Sequence, residues 1–168
     1  GEMAADDFIA IWEDLFVAIA SQEQTLVLRD FHSPNIIWRN DQHGTDRIGL
    51  IDFQDALIGP TAYDVVSLAQ DARVDVSAEL EARLIDHYVS LKHARSTDFD
   101  EERFRKGYAI MGAQRATKIL GIFVRLHERD GKSQYLEHLP RIEDYLRRNL
   151  QHPALAKYRD WIGSVIDL

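Results

Sequence analysis

The chain has 168 residues, 45% hydrophobic and 29% charged, a balance that suits a soluble globular fold with a sizeable core. Its 28 acids against 20 bases give a net charge of −8, which argues against non-specific binding to nucleic acid. There is no cysteine, so disulfides and thiolate metal sites are excluded, and a cytoplasmic setting is expected; no apolar run is long enough to span a membrane, and no basic-then-apolar leader opens the chain.

Residues 4–20 predict an amphipathic helix, with Phe8, Ile9, Ile11, Trp12, Leu15, Phe16 and Ile19 at three- and four-residue spacing. Residues 26–28 predict a short buried strand, 30–34 a loop, 35–39 a second strand and 48–51 a third. Between the last two, residues 40–46 (NDQHGTD) have the composition of a hairpin turn. Antiparallel pairing over 35–51 would make Asn35 and Asp52 neighbours across 17 positions. Gly59-Pro60 reads as a turn, and Thr61 opens the next helix. Ser77 caps a helix over 78–93, with Leu80, Leu84, Tyr88 and Leu91 on its apolar face.

Residues 101–129 are helical by composition and should bury Phe104, Tyr108, Met111, Ile119, Ile122, Phe123 and Leu126. Gly107, Gly112 and Gly121 lie inside it. Each interior glycine costs about 1 kcal/mol against alanine, which predicts close helix crossings or a break near Gly112. Asp130-Gly131 is a stop, and Pro140 and Pro153 suit the first turns of helices over 140–150 and 153–164. Trp12 and Trp161 read as packing residues. With no repeat and no linker, residues 1–168 are expected to form a single unit, α+β and mostly α.

The chemistry concentrates in residues 26–64. Phosphoryl transfer needs a carboxylate to orient and deprotonate the attacking hydroxyl, and oxygen ligands for the Mg²⁺ on the nucleotide phosphates. Asp30, four residues and Asn35 supply one such spacing, and Asp52 follows an apolar strand. His32 and Asp55 stand beside them. Other readings of the same residues exist. Asp30 and Asn35 could be a polar turn. Thr61-x-x-Asp64 has the pattern of a capping box. His32 with Asp30, Asp52 and Asp55 could build a metal-dependent hydrolase. Further on, Arg115, Lys118, Ile122 and Arg125 share a helix face, with Gln114 beside it, that could contact substrate, or could be a solvated, ion-paired face. Asp98, Asp100, Glu101 and Glu102 could attract a cation, or simply suit the start of a helix.

LRDFHSPN, LIDFQDALIGP and TAYDVVSL, in that order, resemble the aminoglycoside phosphotransferase and choline-kinase-like family. Its signature is H-x-D-x-x-x-x-N, then I-D-x-x-D, then G-x-P and a Tyr/Asp pair opening a helix. Within it, GLIDFQDALIGPTAYDVVSL and MGAQRATKILGIF are similar to sugar kinases that phosphorylate N-acetylmuramate and N-acetylglucosamine at the anomeric hydroxyl. The resemblance implies the C-terminal lobe of a protein-kinase-like fold, with a small β-hairpin carrying the catalytic loop. It implies transfer of the γ-phosphate of ATP, with Mg²⁺, to a hydroxyl of a small molecule, an amino-sugar before an aminoglycoside. Asp30 would be the catalytic base, Asn35 and Asp52 the metal ligands, His32 and Asp55 adjacent polar residues, and Asp64 the support of the loop backbone. From the helix face named above, rather than from the resemblance, Gln114, Arg115 and Lys118 are the expected substrate contacts.

Two features depart from the family pattern. Leu28 replaces the first histidine, which should loosen the loop more than it alters the chemistry. Only seven residues separate Asp52 from Pro60, so Arg29 has no activation-loop phosphosite to clamp. No glycine-rich loop and no strand Lys paired with a helix Glu are present. The N-terminal, nucleotide-gripping lobe of the same enzyme is therefore expected to be missing, and this chain alone to be nearly inactive. A non-catalytic, kinase-like binding module is the competing expectation.

Overall fold

The computed structural model describes residues 2–166, with side chains from residue 5 onward. The content is α+β and mostly α, as expected: six α-helices and two two-stranded antiparallel sheets among the described residues. No helix among them is long and apolar enough to cross a membrane. The backbone groups into two compact units, one from residues up to Gln22 together with those from Asp100 onward, the other Glu23–Phe99.

The first unit is helical. Helix α1 (Glu2–Ile19) buries Trp12, Leu15 and Ile19, a stripe at helical spacing. Ile9 and Phe16, expected on that stripe, lie outside it and are exposed. Trp12 meets Tyr158 of helix α6 (Ala156–Val165) with ring centroids 4.9 Å apart, and Phe8 meets Trp161 at 5.2 Å. Thr117 and the buried Tyr158 share a 2.7 Å hydroxyl hydrogen bond, so the phenol has a partner where water cannot reach.

Helix α4 (Glu101–Asp130) runs unbroken through all three glycines. Asp100 caps its start by accepting from the Arg103 amide, and Gly131 ends it in the left-handed region at φ 65°. The glycines serve close approach rather than a break. A Cβ on Gly107 would strike the Gln22 side chain, and one on Gly112 would strike that of Asn149. Gly121 meets nothing and has no such role. Asn149 is buried at the end of helix α5 (Leu139–Asn149) and is fixed by donating to the Tyr145 carbonyl at 2.8 Å. Pro140 lies in the first turn of α5 as expected. Pro153 instead opens a short 3₁₀ turn, Pro153–Leu155, because His152 accepts the Ala154 amide and closes that turn before α6 starts.

The second unit holds strands β1 (Gln24–Val27), β2 (Ile36–Trp38), β3 (Ile48–Leu50) and β4 (Leu57–Pro60), then helices α2 (Ala62–Ala69) and α3 (Ala78–Arg95). Strand β2 pairs with β3, the expected hairpin. Strand β4 was not legible: Gly59-Pro60 reads as a turn, yet it pairs with β1 in the register Thr25↔Gly59 and Gln24↔Pro60. Proline is tolerated there because it stands at the end of an edge strand. Helix α3 is capped by Ser77, which accepts from the Leu80 amide at 3.1 Å. Its inward face differs from expectation. Val89 and Glu81 are buried while Leu80 and Leu91 are exposed, because Gln70 donates to Glu81 at 2.6 Å and so satisfies an inward acid.

Replacing Gly112 by leucine should force Asn149 off its hydrogen bond and cost about 1–3 kcal/mol. Urea unfolding would read this as a lowered midpoint; an unchanged midpoint would show that the α4 crossing has slack.

Candidate active site

The loop between β1 and β2 is built from tight local turns. The Asp30 amide donates to the Leu28 carbonyl at 2.9 Å, closing a three-residue turn on Arg29, whose φ is +70°. The His32 amide then donates to the Asp30 carbonyl at 3.0 Å. A 3₁₀ turn over Ser33–Asn35 follows, with Pro34 in its first turn. A non-glycine residue at positive φ is strained, so something outside the loop must hold Arg29 there.

That support comes from α2. The Asp64 carboxylate accepts the Leu28 amide at 2.7 Å and the Arg29 amide at 3.1 Å. The capping-box reading of Thr61 and Asp64 gives way to this arrangement, since the Thr61 side chain makes no cap hydrogen bond. Ser67, fully buried, donates its hydroxyl to the Arg29 carbonyl at 3.4 Å. Just past α2, Asp71 is 1% exposed and accepts the Ser33 amide at 2.9 Å. Sequence reasoning missed Ser67 and Asp71. For Ser67 the signal was available, since it lies three positions after Asp64 on the same face of α2, whereas Asp71 lies beyond the end of that helix and gave no such signal.

The hairpin register sets Ile36 opposite Leu50, and the Ile51 amide donates to the Asn35 carbonyl at 3.1 Å. The two strand ends therefore meet. Asn35 Nδ2 donates to Asp52 Oδ2 at 3.2 Å and to the Asp30 backbone carbonyl at 3.0 Å. Asp52 adopts φ +61°, a left-handed conformation that aspartate tolerates better than most residues. Its other oxygen accepts from Gln54 Nε2 at 2.7 Å. The hydrogen bond from Gln54, and then that from Asn35, hold the exposed Asp52 carboxyl below the ordinary aspartate range. It is thus charged throughout the neutral range.

His32 Nε2 lies 3.5 Å from Asn35 Nδ2 and 3.4 Å from Arg73 Nη1. Both neighbours carry N–H donors, so Nε2 is placed to accept from them. Asp30 is exposed, and its carboxylate makes no hydrogen bond or ion pair among the described residues. Asp55 is likewise exposed, in the turn that precedes β4.

The loop and hairpin thus bring together Asp30, His32, Asn35 and Asp52, with Asp64 beneath. An ionised carboxylate beside an amide is a hard, oxygen-bearing donor set of the kind Mg²⁺ takes, so Asn35 and Asp52 fit that ion. The hydrolase alternative needs His32 to converge with the carboxylates. Among the described residues no group of three or more His, Cys, Asp or Glu side chains could hold a metal ion.

Gln114, Arg115 and Lys118 belong to α4, in the helical unit. They do not present one surface. Arg115 is 8% exposed, while Lys118 is open to solvent. Gln114 Oε1 is buried without a hydrogen-bond partner among the described residues.

Residues 2–105 match the phosphotransferase enzyme family, and the chain belongs to it. Among its relatives is the N-acetylmuramate/N-acetylglucosamine kinase of Caulobacter vibrioides, 37% identical over 163 residues, which is 97% of this chain and 44% of that protein. The kinase of the same name from Neisseria meningitidis serogroup B is 38% identical over 81% of this chain and 40% of its own length. That from Pseudomonas putida is 34% identical over 86% and 42%. The chain thus spans less than half the length of these relatives.

Replacing Gln54 by alanine removes the larger cause of the lowered Asp52 pKa. The carboxyl carbon of Asp52, followed by NMR titration, should then show its midpoint rise toward the ordinary aspartate value. An unmoved midpoint would mean that Asn35 alone sets it.

Proposed function

We propose that residues 1–168 form one lobe, the C-terminal lobe, of a cytoplasmic kinase that moves the γ-phosphate of ATP to a hydroxyl of an amino-sugar. N-acetylmuramate and N-acetylglucosamine are favoured over an aminoglycoside, because the relatives named for those sugars align along most of the chain. One observation carries the reading: the 3.2 Å contact of Asn35 with Asp52, with the open carboxylate of Asp30 on the same loop. Asp30 orients the sugar hydroxyl and takes its proton. Asn35 and Asp52 hold Mg²⁺, which when bound neutralises charge on the nucleotide phosphates. Asp64 keeps the loop in register, while His32 and Asp55 shape its polar surroundings. Gln114, Arg115 and Lys118 of α4 are the proposed sugar contacts.

The nucleotide-gripping elements belong to the part of the enzyme outside this chain. The coverage of 40–47% of the relatives' lengths supports this, as do the exposed apolar side chains of Leu26, Trp38, Phe53 and Ile58 in the strand-bearing unit. The binding-module alternative is less favoured, because Asp30, Asn35 and Asp52 are all present and Leu28 contributes its backbone amide, not its side chain, to the Asp64 contact.

The full-length protein should phosphorylate one or both amino-sugars in a panel that includes aminoglycosides. Asp30→Asn should lose on the order of 10²- to 10⁴-fold in kcat. Full rate in that variant would remove Asp30 from the role of base. The 168-residue chain alone should show negligible turnover, and robust activity would refute the missing-lobe proposal.

A further inference from the structure

A buried acid just beyond α2 is not used by any part of the reading above. Asp71 is 1% exposed, and both its oxygens are engaged by backbone amides. Oδ2 accepts from Ser33 at 2.9 Å and Oδ1 accepts from Arg73 at 2.9 Å. Ser33 is the first residue of the 3₁₀ turn that ends at Asn35. Arg73 is the residue whose guanidinium lies 3.4 Å from His32. One carboxylate therefore fastens both sides of the polar cluster: the turn that delivers Asn35, and the backbone from which Arg73 reaches His32.

The position of this contact matters more than its strength. Asp64 and Ser67 fasten the loop at Leu28 and Arg29, upstream of Asp30. Asp71 fastens it at Ser33, downstream. With the upstream contacts alone, the turn between Asp30 and Asn35 would be held only by its own local hydrogen bonds and by the hairpin, where the Ile51 amide meets the Asn35 carbonyl. The side chain of Asn35 would then have more room to shift against Asp52. Charge-assisted hydrogen bonds to backbone amides are among the stronger neutral-pH restraints a protein can place on a loop.

We propose that Asp71 is a positioning residue that sets Asn35 against Asp52 by anchoring Ser33, and so tunes the metal site without touching it. The proposal rests on the kinase reading for its catalytic consequence, and on geometry alone for the anchoring.

Two variants test it in the full-length protein, from opposite ends of the same hydrogen bond. Asp71→Asn keeps the size of the side chain but can no longer accept at both oxygens. Ser33→Pro deletes the amide donor, and the hydroxyl lost with it makes no hydrogen bond among the described residues. His32, which precedes it, has φ −138° and ψ 165°, an extended conformation that a following proline accepts. Both variants should speed amide hydrogen exchange at Asn35 and Ile36, measured without metal. Both should raise the Mg²⁺ concentration for half-maximal rate by on the order of 10-fold, with the sugar KM within about 2-fold of wild type. The exposed Asp144→Asn on α5 should change neither reading. Unchanged exchange in Ser33→Pro would overturn the anchor. A fall in kcat with an unchanged Mg²⁺ requirement would reduce Asp71 to a structural residue and equally overturn the proposal. If the wild-type protein showed no turnover at all, the kinase reading would fail, and the exchange rates would still decide for or against Asp71.

Discussion

The carboxylate of Asp64 sits where the chain is least comfortable. Arg29 is held at φ +70°, a conformation that costs on the order of 1–3 kcal/mol for a residue with a side chain. Hydrogen bonds to an ionised group contribute about 1.5–3 kcal/mol each when shielded, less where solvent competes. Asp64 supplies two, to Leu28 and Arg29, the second of them exposed. The strain and its compensation are thus of similar size. The loop holds its shape only because helix α2 stands under it, so the geometry around Asp30 is a property of the helix as much as of the loop.

From that contact the remaining parts follow in order. The tight turn on Arg29 turns Asp30 out toward solvent. The 3₁₀ turn returns the chain to β2 with Asn35 at its start. The β2–β3 ladder carries the chain away and back, so that Asp52 arrives beside Asn35. Each step uses backbone hydrogen bonds rather than apolar packing. This unit exposes many of its strand side chains, and its buried apolar residues are few: Val27, Ala62, Val66, Ala69, Ala72 and Val89. Order in the site therefore comes from polar anchoring, with Asp64, Ser67 and Asp71 doing what a larger core does elsewhere.

The helical unit shows the contrasting case, where packing does the specifying. Its interior contains Ile110, Leu146, Leu155 and Tyr158 at essentially no exposure. Each such side chain is worth about 1.5–3 kcal/mol when fully buried. Glycines in α4 cost helix stability, yet two of them give room to the Gln22 and Asn149 side chains. Polar groups in that core are met by partners in some places, as with Asn149 on Tyr145 and Tyr158 with Thr117, while Gln114 Oε1 has none among the described residues.

Much of this was legible in the residues themselves. Helical periodicity located α1 and α3, composition located α4, Gly131 marked the end of α4 and Pro140 the start of α5, and the spacing of Asp30, Asn35 and Asp52 pointed to the candidate site, because these signals depend on local chemistry. What escaped was decided by partners distant in sequence. Strand β4 looked like a turn, since Gly59-Pro60 has no strand signal and pairs only because β1 offers an edge. Asp64 carried two readings, cap and loop support, and only the Leu28 and Arg29 amides within its reach decided for the second. Asp71 looked like nothing at all, because a buried acid can be recognised only once its donors are in place. The sequence by itself determined the helices, the hairpin and the identity of the chemical groups. Only the tertiary structure decided which backbone amides those groups would hold, since a hydrogen bond between residues 38 positions apart is set by where the helix lies.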